Sequence, residues 1–152
     1  MKKICILLFF ITLTTTVFSQ SSSEMDVKYT IEAFFEAFHQ QDTVALKSMA
    51  KGNIMMQSIS LNKEGKSVLS QNDYNQFVKS IGSIPKDRKF EEKLLDFTIK
   101  VDGSMANAWT PYEFWFDGQM SHCGVNSFQL IKDDGSWKII YLVDTRRREG
   151  CN

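Results

Sequence analysis

The chain has 152 residues, 43% of them hydrophobic and 24% charged, with 18 basic and 18 acidic side chains. Those proportions describe one domain large enough to bury a core. The balanced charge leaves no electrostatic footprint for nucleic acid, and the short basic run Arg146-Arg147-Arg148 beside Glu149 reads as a solvated strand end.

Lys2-Lys3 precede the apolar run Ile4 to Phe18, which ends in Val17-Phe18-Ser19-Gln20. This pattern predicts a secretory signal peptide over residues 1–20, cut after Ser19 or Gln20. The run is short for a membrane span of about 20 residues, and no second hydrophobic stretch follows. The expectation is an exported protein, periplasmic or secreted, with no stable membrane span after processing and a single domain over residues 21–152. Cys5 lies too near the start of the run for a lipoprotein signal. The leader carries two lysines and no acid, so the mature chain is slightly acidic.

Ser21 to Asp26 reads as a loose polar leader. Val27, Ile31, Phe34, Phe35 and Phe38 then recur at helical spacing and form one apolar stripe. Asp42 is placed to cap a short second helix through Met49, which Gly52 stops. Ile54 to Leu61 reads as a strand, Asn62 to Gly65 as a turn and Lys66 to Leu69 as a return strand. Ser70 and Asp73 resemble a capping box for a third helix carrying Tyr74, Phe77, Val78 and Ile81. After a loop over 82–88, Leu95, Phe97, Ile99 and Val101 alternate as a strand. Turns at Asp102-Gly103, Asp117-Gly118 and Asp134-Gly135 then predict a meander of four antiparallel strands.

Counting outward from each turn assigns side chains to faces. It sets Glu113 opposite His122, Tyr112 opposite Cys123, Phe128 opposite Tyr141 and Asn126 opposite Val143. Glu113, His122, Asn126, Phe128, Leu130, Trp137, Ile139, Tyr141, Val143 and Thr145 then share one face. The first meander strand joins them if a one-residue bulge falls near Pro111, where a proline cannot donate to the ladder. A bulge there bends the sheet, and helices on its concave side enclose a hollow.

Glu113 and His122 are the catalytic candidates. A carboxylate beside an imidazole can move a proton, or it can simply fix the register of two strands. Phe34 and Phe38 are core residues or the wall of a pocket; Asn126, Tyr141 and Thr145 extend the patch that would hold a ligand. Trp109 and Tyr112 line either that pocket or a subunit interface. Adjacent strand residues point apart, so His122 and Cys123 cannot form a nucleophilic dyad. Cys151 would have to fold back along the strand to reach Cys123, so the expectation is two free thiols, with a bridge as the open alternative. His39 and His122 are the sole histidines, and no acidic or cysteine cluster stands at ligand spacing, so no metal is expected. No phosphate-cradling glycine loop or serine-nucleophile motif occurs, and no cofactor is expected.

The order helix, helix, hairpin, helix, meander resembles the nuclear transport factor 2-like superfamily, and within it the branch named for lumazine binding. The resemblance is carried by Ile31-Glu32-Ala33-Phe34-Phe35 with Gln41-Asp42, Trp109-x-Pro111-Tyr112-Glu113-Phe114, Ser121-His122-Cys123-Gly124-Val125 with Phe128, and Trp137-Lys138-Ile139 with Asp144-Thr145-Arg146. It implies a cone-shaped α+β fold, three N-terminal helices packed on a strongly bent antiparallel sheet, and a homodimer formed through sheet faces. It implies no catalytic residue by motif. The functional expectation is an exported pocket protein for a small apolar or aromatic molecule. The alternative is an isomerase, dehydratase or cyclase-type enzyme using Glu113 or His122.

Overall fold

The computed structural model describes residues 15–151. Residues 1–14, most of the expected signal peptide, lie outside the described residues. Helix α1 (Thr15–Gln40) runs through the expected cut and through Ser21–Asp26, so that segment is helical instead of loose. Val27, Ile31, Phe34, Phe35 and Phe38 are all buried, as the stripe requires. The helix ends in a Schellman motif: Gln41 takes φ 57°, its N–H donates to the Phe38 carbonyl, and the Asp42 N–H donates to that of Ala37. Asp42 then caps α2 (Thr43–Met49), its Oδ1 accepting from the amides of Val44 at 3.0 Å and Ala45 at 2.9 Å.

Strands β1 (Met55–Leu61) and β2 (Ser67–Asp73) form the first hairpin, and α3 (Tyr74–Gly82) follows in mid-chain. Ser70 belongs to β2, so there is no capping box; Asp73 is itself the cap, accepting from the Gln76 amide at 2.9 Å. A strand that the sequence reading missed, β3 (Phe90–Leu94), precedes β4 (Thr98–Asp102). Both pair with β5 (Met105–Phe116), β3 along its second half and β4 along its first. β6 (Gln119–Asp133) and β7 (Ser136–Arg146) complete the meander.

The sheet order is β2-β1-β7-β6-β5-β3, with β4 also on β5. It is mixed, not antiparallel throughout, because β1 runs parallel to β7. The architecture is α+β, with the three described helices on an open sheet. Ala106, Ala108, Phe128, Leu130, Ile139 and Leu142 face the helices and close the core against Phe34, Val78 and Ile81.

The expected bulge near Pro111 is replaced by two others. The β5–β6 register runs Phe116↔Gln119 and Trp115↔Met120, then jumps to Phe114↔His122, which leaves Ser121 as the extra residue. The β6–β7 register jumps between Gln129↔Tyr141 and Leu130↔Ile139, leaving Ile140 extra. Each bulge turns the rest of its strand over. Glu113 therefore stands opposite Cys123, not His122, and Asn126 stands opposite Asp144, not Val143.

Cys123 and Cys151 are bridged, with Cα atoms 5.7 Å apart, against the expectation of free thiols. The bulge at Ile140 sets Cys123 opposite Arg147, and Gly150 at φ 63° turns the tail back over the strand.

Candidate functional site

Between α1, α3 and the helix-facing side of the sheet lies a cavity of about 340 Å³. Phe34, Phe35 and Phe38 of α1, Phe77 and Ile81 of α3, and Phe114 and Leu142 of the sheet make its apolar wall. The Phe77 ring lies nearly parallel to those of Phe34 (6.3 Å between centroids, 15°) and Phe38 (5.9 Å, 13°). Asn72, Gln76 and Ser80 line the cavity and are exposed, which puts its mouth between β2 and α3.

Polar groups gather on the sheet side, where inward positions of four strands meet. Glu92 comes from β3, Asn126 and His122 from β6, Asp144 and Arg146 from β7, and Ser58 from β1. Asn126 Nδ2 donates to Glu92 Oε1 at 2.7 Å. Asp144 Oδ2 accepts from Arg146 Nε at 2.8 Å, and the Tyr112 hydroxyl lies 2.9 Å from the same oxygen and 3.0 Å from the Thr145 carbonyl oxygen. The His122 ring stacks on Phe114 at 4.9 Å, and its Nδ1 lies 3.2 Å from Ser121 Oγ.

Burial drives the electrostatics. Withdrawal from water, reinforced by the Asp144 charge and opposed by Asn126 and Arg146, pushes the Glu92 carboxyl up to about 8. At neutral pH it is largely a neutral acid, able to donate a hydrogen bond or exchange a proton. Burial and the Arg146 charge hold His122 below the ordinary histidine range, with Asp144 pulling the other way, so its ring is neutral at pH 7. Burial, with Asp144 and Glu92 nearby, raises Tyr112 far above the usual phenol value and keeps it a donor.

Of the residues expected from sequence, Phe34, Phe38, His122 and Asn126 line the cavity. Tyr112 is buried behind it and reaches it through Asp144. Glu113 lies on the outer face, where its carboxylate accepts from Trp115 Nε1 at 3.0 Å; it forms no pair with His122. Trp109, Tyr141 and Thr145 are also outside: Trp109 is 50% exposed, the Tyr141 hydroxyl bonds Gln57, and Thr145 Oγ1 accepts from the Val125 amide at 3.1 Å. The reading of the sequence missed Glu92 altogether. The signal was present in Phe90-Glu-Glu-Lys-Leu94, where an alternating strand puts Glu92 on the same side as two apolar residues. Among the described residues no group of three or more His, Cys, Asp or Glu is placed to hold a metal ion, and no helix is long and apolar enough to cross a membrane.

No family model and no curated protein matches the sequence. Solved structures do match. A candidate dehydratase from the nuclear transport factor 2-like family of Streptomyces avermitilis is 14% identical with a TM-score of 0.62, covering 84% of this chain and 98% of its own. A nuclear transport factor 2-like protein of unknown function from Pseudomonas putida is 14% identical with a TM-score of 0.65, over 86% and 90% of the two chains. The beta subunit of a candidate aromatic-ring-hydroxylating dioxygenase from Novosphingobium aromaticivorans is 10% identical with a TM-score of 0.68, over 87% and 94%. The chain thus has the fold of the nuclear transport factor 2-like proteins.

Proposed function

We propose that this is an exported pocket protein that binds a small, flat, mostly apolar molecule carrying one hydrogen-bonding group such as a carbonyl. The observation that carries this reading is the meeting, in one phenylalanine-walled cavity, of the neutral Glu92–Asn126 pair with the compensated Asp144–Arg146 pair. Apolar walls supply affinity and a few convergent polar groups supply orientation. An anionic guest is disfavoured, because the one guanidinium lining the cavity is already engaged by Asp144. Flavin-like and pteridine-like rings, the class suggested by the lumazine-binding branch, are flat and carry carbonyl groups. On this reading the helices and sheet form the cone that holds them.

One observation favours a second reading, an isomerase or dehydratase type of enzyme. A carboxyl with a pKa of about 8 beside a charge-compensated carboxylate is suited to proton transfer at neutral pH. That role moves from Glu113 to Glu92. The structural neighbour named as a candidate dehydratase supports the same reading by analogy of fold alone.

Glu92→Gln tests the binding reading and the part given to Glu92 in it, with the flat neutral ketone 1-indanone as calorimetric probe. In the wild-type protein Glu92 donates to the ketone below its pKa and cannot above it. Affinity is expected to fall roughly tenfold as pH rises through 8, the worth of about one hydrogen bond. Glu92→Gln, which donates at every pH, removes that dependence. Stability follows the same proton: between the ordinary glutamate pKa and about 8 the folded state holds a proton that the unfolded state releases, so stability falls as pH rises through that window and levels above it. The variant flattens this slope too. An affinity independent of pH in the wild-type protein sinks the role given to Glu92.

Export and dimerisation belong to the same proposal. The Cys123–Cys151 bridge supports an oxidising compartment. The exposed Ile59, Leu61, Leu69 and Trp109 support a homodimer through the outer face of the sheet. Native mass spectrometry of the protein recovered from its own host outside the cytoplasm is expected to give a dimer of chains beginning at Gln20 or Ser21. A monomer retaining residues 1–20 contradicts both parts.

A further inference from the structure

The cavity is built on an edge. Among the described residues β3 ends the sheet, pairing on one side with β5 and on the other with no strand. An edge strand presents unpaired amides that something must satisfy. At Glu92 that partner is His39 in the last turn of α1: the Glu92 N–H donates to His39 Nε2 at 2.8 Å. A backbone N–H can only donate, so Nε2 must be unprotonated and the ring proton sits on Nδ1. The bond exists with neutral His39 alone.

We propose that His39 is a positioning residue for the Glu92 carboxyl of the cavity. It grips the backbone of Glu92 from outside the sheet while the Glu92 carboxyl points inside to Asn126, so protonating His39 releases the segment that carries the carboxyl. The inference rests on the reading of Glu92 given above and adds its control.

The surroundings of His39 are mixed in charge. Glu32 and Glu36 face it from α1, Glu91, Glu92 and Lys93 from β3, and Lys89 from the approach to β3. Phe35 and Phe38 crowd its ring, with centroids at 6.3 and 5.5 Å. Burial holds the imidazole below the ordinary range, while the Glu91 charge and the backbone of Glu92 pull it part of the way back up. The bond to Glu92 is therefore complete at neutral pH and is lost as the solution becomes acidic.

Nuclear magnetic resonance reads both ends of this link without a ligand. In the wild-type protein the Glu92 amide shift is expected to follow the His39 imidazole titration, and its protection from exchange to fall on the order of tenfold as His39 protonates. His39→Leu is expected to show that loss at every pH and to move the Glu92 carboxyl midpoint down towards the ordinary glutamate range as the cavity loosens. His39→Gln, whose side-chain oxygen can accept in place of Nε2, restores protection and removes its pH dependence. A Glu92 amide indifferent to the His39 titration overturns the proposal, and that measurement needs no variant. Loss of protection in His39→Leu with an unchanged carboxyl midpoint overturns it as well, since His39 would then only close an edge. The cavity reading stands or falls separately, on the midpoint of the wild-type carboxyl.

Discussion

Replacing Gly124 with alanine is expected to destabilise the protein by roughly 4 kcal/mol or more, the range reached when a native backbone contact cannot be kept. A Cβ at this position would lie 1.7 Å from the Thr145 carbonyl oxygen, 2.8 Å from its carbon and 2.9 Å from Tyr112 Cε1. Two of those atoms are backbone, so no rotamer change relieves the overlap; β6 and β7 must separate. Separation carries away the acceptor of the Tyr112 hydroxyl and displaces Asp144, on the next residue, from the cavity wall. Gly118 supplies the control. It sits at φ 78° in the hairpin turn with open space around its missing Cβ. Gly118→Ala is expected to cost only about 1 kcal/mol, the strain of one left-handed residue. Denaturant titration of the two variants compares them directly, and a cost below 1.5 kcal/mol for Gly124→Ala would contradict the close approach of the strands.

Cys151→Ser is expected to remove about 3.5 kcal/mol. The bridge joins residues separated by 28 positions, and closing a loop of that size restricts the unfolded chain by roughly this amount. For a domain of this size the loss corresponds to a melting temperature lower by about 10 °C. Reduced wild-type protein should melt with the variant, and oxidised protein above both. Equal melting of oxidised wild-type and Cys151→Ser would mean that the bridge does not form in solution. Cys123→Ser should cost more, because Cys123 is buried and its replacement puts a hydroxyl in a site withdrawn from water.

The elements were legible where local chemistry decides them. The stripe Val27 to Phe38 specifies a helix face, Asp42 caps as its side chain demands, and Asp117-Gly118 and Asp134-Gly135 both take positive φ at the two turn positions. What sequence periodicity does not carry is a bulge. Ser121 and Ile140 are ordinary strand residues in type, yet each displaces every later side chain to the other face. That is why His122 and Asn126 came out on the cavity while Glu113, Tyr141 and Thr145 did not. The disulfide was obscured by the same shift, since Cys123 pairs one residue further along β7 than counting from the turn implies. Glu92 was hidden by composition: three charged residues between Phe90 and Leu94 mask the alternation, and the sequence reading left residues 89–94 unassigned.

The parallel pairing of β1 with β7 sets Met56 beside Leu142 and Ser58 beside Asp144. The two sides of the cavity floor therefore leave the ribosome near opposite ends of synthesis. A nascent chain carrying only the first hairpin and α3 has no partner for the second edge of β1, and the carboxylate of Asp144 and guanidinium of Arg146 arrive with β7. Loop closure over that length has to precede the contacts that reward it, which places folding in the slow, non-local regime of milliseconds to seconds. The cavity is thus a late product of assembly, closed only once β7 has paired with β1.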